Sequence, residues 1–133
     1  MPSKEFTYKR EYESVDNVDE SIWFSNDAPI MESDFTYVFN DKYPCVVGHK
    51  LFIPKENNPH FIGRSYGLAY EYGNEKIKKG EIEGFNVGMN IGVCAGQTIM
   101  WPHIHFIPRH KGDADDIGGM RHAHPGADHI KYY

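Results

Sequence analysis

A chain of 133 residues, 40% hydrophobic and 25% charged, has the make-up of one globular domain whose core needs neither disulfides nor a metal to stand. Its net charge of −5 argues against broad binding to nucleic-acid polymers or anionic membranes, both of which call for a basic face. No apolar run approaches membrane-spanning length, and the opening Met1-Pro2-Ser3-Lys4-Glu5 lacks a leader-like apolar core, so a cytoplasmic location is expected.

Residues 1–20 mix Lys, Arg, Glu and Asp without a period and predict a polar arm, loose alone or ordered against a partner. Ile22-Trp23-Phe24 is the first apolar cluster, and Ser25-Asn26-Asp27-Ala28-Pro29 predicts a turn. Phe35–Phe39 is a strand candidate closed by Asn40-Asp41-Lys42-Tyr43-Pro44, and Gly48–Pro54 makes its antiparallel partner. From Phe61 to about Lys79, Ile62, Tyr66, Ala69 and Ile77 fall on one helical face, interrupted by Gly63, Gly67 and Gly73. Gly84–Asn90 predicts a third strand, and Gly96–Arg109 a further one. Beyond Arg109 the chain turns polar and glycine-rich, which divides it into an arm (1–20), a domain (21–121) and a His-rich tail (122–133). Cys45 and Cys94 show no metal-type spacing and are expected as reduced, buried small side chains.

The chemistry concentrates in Trp101-Pro102-His103-Ile104-His105-Phe106-Ile107. On a strand, Trp101, His103, His105 and Ile107 share one face while Ile104 and Phe106 enter the core. Pro102 removes a ladder donor, so its position must be an edge or lack a partner. A lone His-x-His is most often structural. Two same-face imidazoles also suit zinc, with His122, His124 or His129 from the tail as a third ligand. The remaining reading is nucleophilic catalysis at phosphorus: a neutral imidazole attacks near pH 7 without a separate base and forms a phosphoramidate that water hydrolyses. Gln97, Thr98 and Asn90 are placed to offer donors to the phosphate.

Gly96-Gln97-Thr98-Ile99 followed by His103-Ile104-His105-Phe106-Ile107-Pro108-Arg109 resembles the signature of the histidine triad family of nucleotide hydrolases and transferases. Phe39–Pro44 with Gly48–Lys55, Gly84–Asn90, Lys111–Asp113 and Gly118–Arg121 extend the likeness over residues 22 to 121. The resemblance implies an α+β fold, an antiparallel sheet of about five strands with one main helix, paired into a homodimer. It implies metal-independent, cofactor-free hydrolysis of a nucleoside phosphate linkage through a nucleotidyl-His103 intermediate, releasing a monophosphate such as AMP. His105, Asn90, Thr98 and Gln97 are then phosphate-side residues, Asp41 the ribose carboxylate, Trp23, Phe24 and Phe39 the wall of the base pocket, and His49 a residue orienting the nucleophile region. A nucleotidyltransferase or phosphorylase of the same superfamily and a catalytically weak nucleotide-binding module are the alternatives. The sequence departs from the family pattern in three ways, the first being Pro102 just before the nucleophile. Trp101 occupies the first triad position and cannot accept a hydrogen bond, and no Cys-x-x-Cys lies at Ile22–Ser25, so no structural zinc is expected there.

Overall fold

The computed structural model describes residues 14–114 and 118–127. A short helix, α1 (Ile22–Asn26), precedes strands β1 (Met31–Glu32), β2 (Thr36–Asn40) and β3 (Lys50–Pro54). The long helix α2 (Pro59–Lys78) then leads to β4 (Gly84–Gly88) and β5 (Ile104–Arg109). The strands form one antiparallel sheet in the order β1-β2-β3-β5-β4, so the expected α+β architecture is the one adopted. β1, not among the expected strands, is two residues long and too short to show a period in the sequence.

α2 starts two residues earlier than its apolar period. Asn58 is its N-cap, its side chain accepting from the Phe61 N–H at 2.9 Å, and Pro59 fills the first turn, where a missing N–H costs nothing. The helix turns Ser65, Ala69 and Gly73 towards the sheet, with Ile62 and Tyr66 beside them, while Ile77 stays exposed, contrary to the expected face. Gly73 is a packing requirement: a Cβ there would lie 2.4–2.6 Å from the Phe85 ring. Thr36 and Ser65 share a buried hydrogen bond of 2.7 Å that ties the helix to β2.

The two faces of the sheet have different covers. Val38, Phe52, Ile104 and Phe106 point towards α2 and form one core cluster, each large side chain contributing about 1.5–3 kcal/mol by leaving water. The alternate residues Phe39, Leu51 and Ile53 point the other way and pack with Val18 and Trp101, flanked by Val15, Trp23 and Phe24. The end of the polar arm is therefore held against this chain's own sheet, not left loose.

Both cysteines are exposed, which corrects the expectation of burial. Cys45 lies in the β2–β3 connection and Cys94 in a 3-10 turn, and their apolar neighbours Val47 and Val93 are exposed as well, Val47 by 93%. A run of small apolar residues in a turn has no second layer to bury it. Among the described residues no helix is long and apolar enough to cross a membrane.

Candidate functional site

On the sheet face away from α2 lies a cleft of about 700 Å³. Ile22 and Trp23 of α1, Phe39 and Leu51 of the sheet, and Ile99 supply apolar lining, while Asp41, Asn90, Thr98, His103 and His105 supply polar groups. β5 is shorter than the apolar run suggested: its first paired residue is Ile104, opposite Phe52, so Trp101, Pro102 and His103 lie just ahead of the ladder. Pro102 therefore costs the sheet no hydrogen bond. His105 sits within β5, paired with Leu51 of β3 on one side and Gly88 of β4 on the other.

Each imidazole is oriented by a defined partner. His103 is 6% exposed, and its Nδ1 lies 2.8 Å from the Trp101 carbonyl oxygen. A carbonyl only accepts, so the proton of the neutral ring sits on Nδ1 and Nε2 keeps its lone pair. The Trp23 ring meets His103 edge-on at 4.9 Å between centroids. For His105 the tautomer is set through His49. The Cys45 backbone N–H donates to His49 Nδ1 at 3.2 Å, which places the His49 proton on Nε2. That Nε2–H faces His105 Nδ1 at 2.9 Å and the Asp41 Oδ2 at 3.2 Å. His105 then carries its proton on Nε2, as a donor.

All three rings are held neutral at pH 7. Burial is the first cause of the lowered pKa of His103, opposed by its hydrogen bond to Trp101 and by the Asp41 charge. His49 is lowered by burial against the pull of Asp41. His105 falls from 6.5 to about 4, first through burial, then through the neighbouring His103 and His49, with Asp41 opposing.

Several expected contacts take other positions. Gln97 does not line the cleft. Its Oε1 accepts from Gly92 N–H at 2.8 Å, its Nε2 donates to the Ile99 and Met100 carbonyls, and its own N–H reaches Gly92 C=O, so the side chain is consumed in folding the loop. That loop needs Gly92 and Gly96, whose φ of +95° and +94° other side chains rarely adopt. Phe24 packs edge-on against Tyr37 and Phe39, behind the cleft wall. His49, 7% exposed, stands behind His105 and does not reach the lining. Asp41 reaches the cleft, but Oδ1 accepts from the Tyr43 N–H at 2.8 Å and Oδ2 faces the histidine pair. Trp101, expected beside the histidines, has its indole buried at 5% exposure in the second cluster. Asn26, Asp27 and Lys42 also line the cleft, and the sequence carried no signal for them beyond lying next to predicted site residues.

Among the described residues, the group with ligand atoms close enough for a metal is Asp41, His49 and His105, whose atoms lie within 4.8 Å of one another. The single His49 Nε2–H lies between His105 Nδ1 and Asp41 Oδ2 in this group, and neither His122 nor His124 belongs to it. His129 lies outside the described residues.

No protein-family model matches the chain. An uncharacterized HIT-like protein of Borreliella burgdorferi is 31% identical over 93 residues, 63% of this chain and 67% of that protein. A protein named adenylylsulfatase HINT3, of Arabidopsis thaliana, is 32% identical over 91 residues, 63% of this chain but 46% of that protein. Among solved structures, a zinc-bound histidine triad family protein of Mycobacterium smegmatis superposes with a TM-score of 0.59 at 28% identity, covering 67% of this chain and 72% of that one.

Proposed function

The chain belongs to the histidine triad family, and from that premise we propose that it is a nucleotide hydrolase that attacks phosphorus with His103. His103 Nε2 forms the new bond to phosphorus as the P–O or P–N bond to the leaving group breaks. The leaving group departs with the electron pair and takes a proton from solvent; water then attacks phosphorus, the P–Nε2 bond breaks, and His103 is restored as a nucleoside monophosphate leaves, AMP by preference. His105 Nε2–H, with Asn90 and Thr98, meets the charge that builds on the phosphate oxygens. The base lies along Trp23, Ile22 and Phe39, with the ribose towards Asp41. Asp41 then serves the sugar and the histidine pair together, a carboxylate having acceptor sites beyond the two occupied here. The step requires no metal or cofactor.

The observation that carries this reading is the 2.8 Å contact between His103 Nδ1 and the Trp101 carbonyl, in a ring that also lines the cleft. A ring so fixed offers one nitrogen to substrate, and burial keeps it unprotonated. The adenylylsulfatase named among the relatives supports adenylylated substrates.

Residues 21–121 make up the hydrolysing unit in this account, with 1–20 an arm and 122–133 a tail, and the location is cytoplasmic. A homodimer is included. β4 is an edge of the sheet, and Ile91, Val93 and Met120 are exposed; light scattering at twice the chain mass is the expected result.

The experiment is a panel of diadenosine polyphosphate, adenosine phosphoramidate and adenylyl sulfate, scored for AMP release. His103→Ala abolishes release and keeps AMP binding. Unchanged release in that variant refutes the mechanism. Tight AMP binding with no turnover replaces it with a nucleotide-binding module, and transfer to added phosphate replaces it with a phosphorylase.

A further inference from the structure

His103 depends on the position of one carbonyl. That carbonyl belongs to Trp101, which lies ahead of the first paired residue of β5 and so gains nothing from the sheet ladder. Pro102, between them, has no N–H to contribute. The backbone here is held by side chains instead. Gln97 takes the carbonyls of Ile99 and Met100 on one side. On the other, the Trp101 indole Nε1–H donates to the Pro54 carbonyl at the end of β3, at 3.0 Å and out of water. The same ring packs with Val18, Phe39, Leu51 and Ile53.

We infer that Trp101 is a positioning residue for the reaction: its indole N–H, anchored on Pro54, fixes the carbonyl that keeps the His103 proton on Nδ1 and thereby leaves Nε2 as the attacking nitrogen. This rests on the reading of His103 as nucleophile. The residue that departs from the family signature thus supplies a structural hydrogen bond where the signature has a third imidazole.

Ring chemistry separates the hydrogen bond from bulk. Indole Nε1 is joined to Cβ through Cγ and Cδ1, and imidazole Nε2 through Cγ and Cδ2, both within a five-membered ring. Trp101→His therefore keeps a donor in the same place and loses the benzo ring, while Trp101→Phe keeps most of the bulk and loses the donor. With adenosine phosphoramidate as substrate, Trp101→Phe is expected to lower kcat about tenfold with KM within about twofold, and Trp101→His to stay within about threefold of the parent. Thermal stability runs in the other order, because the larger cavity in Trp101→His lowers its Tm more.

The ring nitrogens of His103, read by 15N NMR, give a measurement independent of turnover. The parent and Trp101→His keep the Nδ1–H form, and Trp101→Phe shows a mixture of tautomers. If Trp101→His does not fold, Trp101→Phe and its spectrum decide. An unchanged kcat and tautomer in Trp101→Phe overturns the inference, as does a Trp101→His slower than Trp101→Phe, which makes bulk the cause. A parent that releases no AMP while the tautomers shift as stated refutes the hydrolase and upholds the anchoring of the ring.

Discussion

Acid should destabilise this fold through His105. The ring titrates at about 4 in the folded protein against 6.5 unpaired, because burial disfavours its charge first and His103 and His49 add to that, with Asp41 opposing. Between these values the unfolded chain binds the proton and the folded one does not, so stability is fully present above 6.5 and is lost as the pH falls. The two values place the loss from this ring at about 2 kcal/mol by pH 5 and about 3 kcal/mol by pH 4. The side chain is 26% exposed, so solvent screening takes only a modest share of this. His49 and His103 are lowered in the same direction, each first by burial, and steepen the fall. Urea unfolding at steps from pH 7 to 4.5, on the parent and on His105→Asn, isolates the contribution, since the carboxylates common to both cancel. The stability gap should shift against the parent by about 2 kcal/mol on reaching pH 5. Parallel curves for the two proteins, or an NMR titration of His105 near 6.5, would refute the reasoning.

Glycines in α2 should respond with opposite signs. Gly63→Ala and Gly67→Ala meet nothing within 4 Å and should stabilise by about 0.5–1 kcal/mol each, whereas Gly73→Ala drives a methyl into the Phe85 ring and should destabilise by about 1–2 kcal/mol after its propensity gain; thermal melts read both. Gln97→Ala leaves the Gly92 N–H and the Ile99 and Met100 carbonyls without that side chain, so amides of residues 90–98 should exchange faster and AMP release should fall, while the sheet amides keep their protection.

How much of this was legible in the sequence depends on what each residue's signal was made of. Phe35–Phe39, Gly48–Pro54 and the histidine strand carried β-branched and aromatic residues between turn residues, a local signal, and the sheet follows it. His103, His105, Asp41, Asn90 and Thr98 were found because strand alternation and motif order placed them on one side, and all five line the cleft. Gln97 lies elsewhere than expected because a polar residue that faces a cleft from a loop and one folded inside that loop read alike; the hydrogen bonds between Gln97 and Gly92, with positive φ at Gly92 and Gly96, show the loop doubling back over it. Phe24 and His49 reach their places through packing against Tyr37, Phe39 and His105, contacts that no local spacing encodes. Cys45 and Cys94 had apolar neighbours, but apolar neighbours bury a residue only when the chain returns to cover them. The early start of α2 was visible in Asn58-Pro59, a capping signal that outranks the apolar period.

The most direct measurement of the central claim is capture of the intermediate. During turnover of adenosine phosphoramidate, quenched in alkali to preserve a phosphoramidate bond, peptide mass spectrometry should find adenylate on His103, and His103→Ala should show neither adduct nor release. Steady release of AMP with no adduct on His103, or release that survives its removal, would contradict the account.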